Sequence, residues 1–196
     1  MKVAILYGFG EGDYHGRAFV RKLREAGFDV VRQAKDADIV ITHSGGCFFM
    51  PPLDHQKFVI INPPYWPGKS LSVSTIQKVS IDFIDFARDG KILQWFWKTT
   101  VNLVHVFRYI FKTLTITLHA HRKRFYEALR DENTIIIRSS HDTFLSPDAE
   151  QLLEAKTGHS VPLYTLPGHH DSCWRNPDPY IKLIKQFAYN RKIVKE

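Results

Sequence analysis

Three short polar stretches of the 196-residue sequence carry side chains able to cooperate in one reaction. Thr42-His-Ser-Gly-Gly46 offers a serine among small residues, Ser139-Ser-His-Asp142 a carboxylate, and Pro167-Gly-His-His-Asp171 a histidine doublet. A serine hydroxyl is a weak nucleophile until an imidazole takes its proton. The imidazole in turn needs a carboxylate to fix its tautomer and to stabilise the cation it becomes. Ser44, Asp142 and His170 are thus the candidate nucleophile, orienting acid and base, with His169 competing for the last role.

Each stretch follows an apolar run. Ile39-Val-Ile41 is an uninterrupted β-branched segment of the kind found in a parallel strand covered on both faces, and the two glycines after Ser44 end it. A nucleophilic serine at such a turn needs small residues two positions away on either side, so that strand and following turn can pass closely. Thr42 and Gly46 hold those places, a near match to Gly-x-Ser-x-Gly with the larger Thr first. Further strands are expected over Lys2–Tyr7, Phe28–Val31, Phe58–Ile61, Asn133–Arg138 and Ser160–Leu166.

Helices are expected between Asp13 and Gly27, briefly over Cys47–Met50, over Ser72–Arg88 and Pro147–Thr157, and from Asn176 onward with Tyr180, Leu183, Ile184 and Phe187 on one face. The link between the second and third strands is too short for a full helix. Alternation of this kind predicts one α/β domain over 1–196, a three-layer α/β/α arrangement around a mostly parallel six-stranded sheet. In open α/β sheets ligands bind beyond the carboxyl ends of the strands, where Ser44, Asp142 and His170 all fall.

The chain order Ser, Asp, His resembles that of the α/β-hydrolases of the serine hydrolase kind. The resemblance spans most of the chain except about 65–130, where that superfamily inserts a variable helical cap. Leu6-Tyr-Gly-Phe-Gly10 resembles its oxyanion loop, with Tyr7 where His is usual, so the implied oxyanion donors are the backbone N–H groups of Phe9 and Gly45. Ser139-Ser-His-Asp142 resembles the Gly-x-x-Asp acid turn, with Ser replacing Gly. Gly168-His-His170 resembles the histidine loop, and the interval from His170 to Pro177 favours His170 over His169. The resemblance implies a carboxylesterase- or lipase-like enzyme that needs no cofactor or metal. Its substrate would be an ester of a small or apolar acyl or aryl group, cleaved through an acyl-enzyme.

Two other readings stay open. His43, His141, Asp142, His169, His170 and Asp171 could gather around zinc, although they lack the short helical spacings of familiar sites. The net charge of +7 resides in one segment: Lys91 to Arg130 holds eight lysines and arginines against the single acid Glu127, and the remainder is balanced. That segment also carries Trp95, Phe96, Trp97, Phe107, Tyr109, Phe111, Phe125 and Tyr126. Leu93, Trp97, Val101, Val104, Phe107, Phe111, Leu114 and Leu118 form a helical stripe opposite Lys98, Asn102, His105, Tyr109 and Lys112. It can pack on the domain, cap a substrate site, or hold a catalytically weak scaffold to an anionic membrane surface or acidic partner. Nucleic acid is not expected, because the charge lies on an apolar helix without a known binding motif.

Cys47 and Cys173 have neither metal-ligand spacing nor a disulfide framework and are expected to be packing residues. Absence of a signal-peptide pattern and of a long apolar run fits a cytoplasmic location.

Overall fold

The computed structural model describes residues 1–8, 15–51, 56–63, 84, 87, 90, 92, 93, 95–97, 99, 100, 104, 120–129, 133–142, 149–158 and 160–189. The apolar runs form six strands: β1 Lys2–Leu6, β2 Asp29–Val31, β3 Ile39–His43, β4 Lys57–Ile61, β5 Thr134–Ser139 and β6 Leu163–Leu166. All five pairings are parallel, in the spatial order β2-β1-β3-β4-β5-β6.

Alternate residues of each strand feed two separate cores. Val3, Ile39, Ile41, Val59, Ile61, Ile135 and Ile137 point to one side, where they meet helix α1 (Arg17–Glu25) through Phe19 and Leu23. The same side is covered by α4 (Ser172–Arg175) and α5 (Asp178–Ala188) through Trp174, Tyr180, Ile181 and Ile184. Ala4, Val40, Phe58, Ile60 and Ile136 point the other way, onto α2 (Ala120–Leu129) and α3 (Ala149–Thr157) through Phe125, Leu129 and Leu153. With both faces covered, the strands read as continuous apolar runs because neither face meets water. Each large side chain so buried contributes about 1.5–3 kcal/mol.

Several expectations need adjustment. The β2–β3 link holds one helical turn, Ala34–Asp36, as its length requires. β6 begins later than expected because Pro162 has no N–H for the ladder; its carbonyl still accepts a bond from Ile136 N at 2.9 Å. The turn after β3 starts at Ser44 itself and runs to Phe49, and α4 has no counterpart in the sequence reading. Most of the expected Ser72–Arg88 helix lies outside the described residues, although 84 and 87 are helical, as are 92, 93, 95–97, 99, 100 and 104. Of the apolar stripe, Leu93, Trp97 and Val104 are exposed. No helix of the described residues is long and apolar enough to cross a membrane.

Tyr180 links α5 to the end of β5: its hydroxyl lies 2.8 Å from Ser139 Oγ, and burial pushes its phenol up to about 12. An unfolded chain ionises its tyrosines near pH 10. Between about pH 10 and 12 the unfolded state therefore loses a proton that the native state keeps. The stability this residue contributes is complete below pH 10 and is lost as pH rises toward 12. Thermal melts should show Tm falling across that window in the wild type and falling less steeply in Tyr180→Phe. Identical slopes would exclude this coupling.

Candidate active site

β3 delivers Ser44 to the carboxyl edge of the sheet in a left-handed conformation, φ 51°. Among the described residues the only other non-glycine with positive φ is Asn62, φ 48°. The register pairs His43 with Ile61, so Ser44 and Asn62 leave neighbouring strands side by side. Positions of this kind cost about 1–3 kcal/mol each and persist only where the surroundings hold them. Gly46 shows why the turn must be small there: a Cβ at this position would be driven into the Leu6 carbonyl at the end of β1. Thr42, the larger residue at the other small position, is fully buried and paired in register with Leu6. Ser44 is half-buried and Gly45 buried; Phe9 lies outside the described residues.

Asp142 and His170 meet. Asp142 Oδ1 is 3.0 Å from His170 Nδ1, and the two side chains are 1% and 4% exposed. The turn carrying Asp142 is pinned to the end of β6: Ser140 N donates to the Leu166 carbonyl at 2.8 Å and His141 N to the Gly168 carbonyl at 2.9 Å. Asp142 N closes the turn on the Ser139 carbonyl at 3.0 Å. Of the histidine doublet, it is His170 that lies against the carboxylate. The His169 ring packs 5.4 Å from that of His141, and its backbone N–H donates to Ser172 Oγ at 2.7 Å.

The His170 carbonyl is held from two sides. His43 Nε2 donates to it at 2.9 Å, and Asn62 Nδ2 donates to the same oxygen. His43, fully buried beside Ser44, is wedged between the Trp174 ring at 4.8 Å and the His170 ring at 4.9 Å. Asn62 reaches further, accepting from Ser139 N at 2.7 Å and donating to Ser139 Oγ at 3.0 Å. Sequence reasoning missed Asn62. The available signal was an asparagine directly after a strand and before Pro63, a position suited to left-handed backbone.

Of the six residues considered for zinc, three converge: His43, His170 and Asp171, all buried, offer ligand atoms within 4.8 Å of one another. His43 Nε2 carries the hydrogen given to the His170 carbonyl, which leaves Nδ1 as that ring's lone-pair nitrogen. Burial pushes the Cys47 thiol far above its usual range, so it stays protonated and is no nucleophile.

No protein-family model matches the sequence, and no curated protein matches it. Solved structures do match. A thioesterase domain from the curacin biosynthetic pathway is 12% identical with TM-score 0.60, over 93% of this chain and 90% of that one. A carboxylesterase of the thaumarchaeon Nitrososphaera gargenis is 12% identical with TM-score 0.60, over 97% and 90%. A hydrolase from Oleispira antarctica is 15% identical with TM-score 0.59, over 96% and 91%. The chain has the α/β-hydrolase fold.

In this α/β-hydrolase fold the serine turn runs against the Leu6 carbonyl at the end of β1, and Gly46, having no side chain, permits that approach. Overpacking a site bounded by backbone costs about 1–3 kcal/mol. Gly46→Ala should therefore lower Tm by several degrees, at about 2–4 °C per kcal/mol for a chain of this size. An unchanged Tm would mean that the turn does not run so close to Leu6.

Proposed function

We propose that this protein is a serine hydrolase that cleaves an ester by way of an acyl-enzyme. The observation that carries the reading is the buried His170–Asp142 pair at the sheet edge where β3 ends in a serine held in a left-handed turn. Ser44 Oγ attacks the ester carbonyl carbon while His170 Nε2 takes its proton. Asp142 accepts a hydrogen bond from His170 Nδ1–H and stabilises the imidazolium. The carbonyl electron pair moves to oxygen, where backbone N–H groups, those of Gly45 and Phe9 in this reading, stabilise the charge. Collapse of the tetrahedral intermediate expels the alcohol, which takes the proton from His170. Water, deprotonated by the same imidazole, then attacks the acyl-Ser44 carbonyl and releases the acid. The carboxylesterase and thioesterase among the similar structures support an acyl substrate class.

A fluorophosphonate probe should label the wild type and fail with Ser44→Ala, because no other described residue is proposed to attack it. His170→Ala and Asp142→Asn should slow labelling by roughly 10²–10⁴-fold, the range for general acid–base assistance, and His169→Ala by less than threefold. Undiminished labelling of Ser44→Ala would overturn the assignment, as would loss with His169→Ala alone.

A second reading, contact with an anionic membrane surface, is favoured by one observation. Among the helical residues 92, 93, 95–97, 99, 100 and 104, Leu93 is 85% exposed, Trp97 68% and Phe96 54%, within a segment whose sequence carries eight basic residues and one acid. Aliphatic and aromatic groups beside an excess of cations are the composition of a helix lying in the headgroup region. The chain should sediment with vesicles of phosphatidylglycerol and phosphatidylcholine but not with phosphatidylcholine alone. Binding should weaken as salt rises and fall at least fivefold in Leu93→Ser/Trp97→Ser, while Ser44→Ala binds normally. Equal binding to both vesicles, or none, would remove this reading.

A further inference from the structure

The serine, acid and histidine segments leave three different strands, and one side chain touches two of those segments while flanking the third. Asn62 is fully buried at the exit of β4. Its backbone N–H donates to the Ile137 carbonyl at 2.9 Å, continuing the β4–β5 ladder beyond the strand. Its side chain then makes three bonds, none to a near neighbour in sequence. Oδ1 accepts from Ser139 N, and Nδ2 donates to Ser139 Oγ and to the His170 carbonyl. Both amide hydrogens and the carbonyl oxygen are engaged.

We propose that Asn62 is a positioning residue: it sets the orientation of the His170 imidazole against Asp142 by fixing the backbone at His170 and at the start of the acid turn. Ser139 is three residues before Asp142 and closes the turn on Asp142 N at 3.0 Å, so the Asn62–Ser139 bonds set where that carboxylate stands. The bond to the His170 carbonyl fixes the peptide that carries the imidazole. One planar amide thereby references both members of the 3.0 Å His170–Asp142 pair to the β4 edge beside Ser44. Misplacement of reacting groups by about an ångström can cost on the order of 10²-fold in rate, so a side chain that touches no substrate can still govern rate.

The chemistry also explains the residue type. Aspartate has the shape but no donors, and would set a carboxylate against the His170 carbonyl. Leucine would strand the Ser139 N–H in a buried site. Glycine tolerates the left-handed backbone and removes only the side chain. His43 is the other donor to the same carbonyl, so loss of Asn62 loosens the peptide without freeing it.

The inference rests on the hydrolase reading for its kinetic test and stands apart from it in a spectroscopic one. Asn62→Asp and Asn62→Gly, each shown to be folded by circular dichroism, should react with the fluorophosphonate at least tenfold more slowly than wild type. For a turned-over ester the loss should fall on kcat with KM within about twofold. Tyr180→Phe removes a hydroxyl that reaches this network only through Ser139 Oγ and should cost less than threefold, even where it lowers Tm as much as the Asn62 variants.

Independently of activity, the wild type should show a downfield proton resonance for the His170 Nδ1–H held by Asp142. That signal should be lost to exchange in Asn62→Gly and retained in Tyr180→Phe. Labelling within twofold of wild type in a folded Asn62 variant would overturn the proposal. So would losses that track Tm across all three variants, or a resonance unchanged in Asn62→Gly. A wild type that shows the resonance but no labelling would defeat the hydrolase reading and leave the positioning claim to the spectrum.

Discussion

The site depends on the way one buried carbonyl, that of His170, is satisfied. A carbonyl oxygen has two acceptor positions, and leaving a buried polar group short of partners costs about 1–3 kcal/mol. Here two side chains from two other strand ends donate to it: His43 from the end of β3 and Asn62 from the exit of β4. Asn62 also grips Ser139 at the end of β5, and Ser139 meets Tyr180 on the helix behind. The loop after β6 is thereby tied into the middle of the sheet through polar groups, not through apolar packing. In a buried setting such bonds have no competing water, so the alternative arrangements of the loop are expensive.

The parallel sheet makes this convergence possible. Because all five pairings are parallel, the carboxyl ends of β3, β4, β5 and β6 lie along one edge, and residues far apart in the chain arrive together. The two-sided core fixes the register. A one-residue slip of β3 would send Ile39 and Ile41 to the wrong face and turn Ser44 away from the edge. Strain at Ser44 and Asn62 is tolerated because both are flanked by this well-packed sheet. The aromatic wedge of Trp174, Phe19 and His43 packs the serine turn from the side of α1 and α4.

Much of this was legible in the sequence. The β-branched runs located five of the six strands to within about two residues, since a strand buried on both faces has few alternatives to Val, Ile and Phe. Ser44, Asp142 and His170 could be singled out because each follows such a run and because their side-chain chemistries complete one another. Asn62 could not. Its partners are 77 and 108 residues away, and Asn-Pro-Pro after a strand reads equally well as a plain exit loop. The stripe through Leu93 and Trp97 was legible only in part for a related reason: periodicity shows that a helix has an apolar side, but not which surface that side meets.

Sequence alone determined the α/β class, the parallel sheet and the three polar segments at the strand ends, because these follow from local periodicity and residue chemistry. Tertiary structure decided the rest. It brought His170 and not His169 to Asp142, gave Gly46 its necessity by laying the serine turn against the Leu6 carbonyl, and made Asn62 and His43 joint donors to one peptide oxygen. These outcomes turn on distances between segments far apart in the chain. Only the register of a packed sheet sets such distances; no local pattern encodes them.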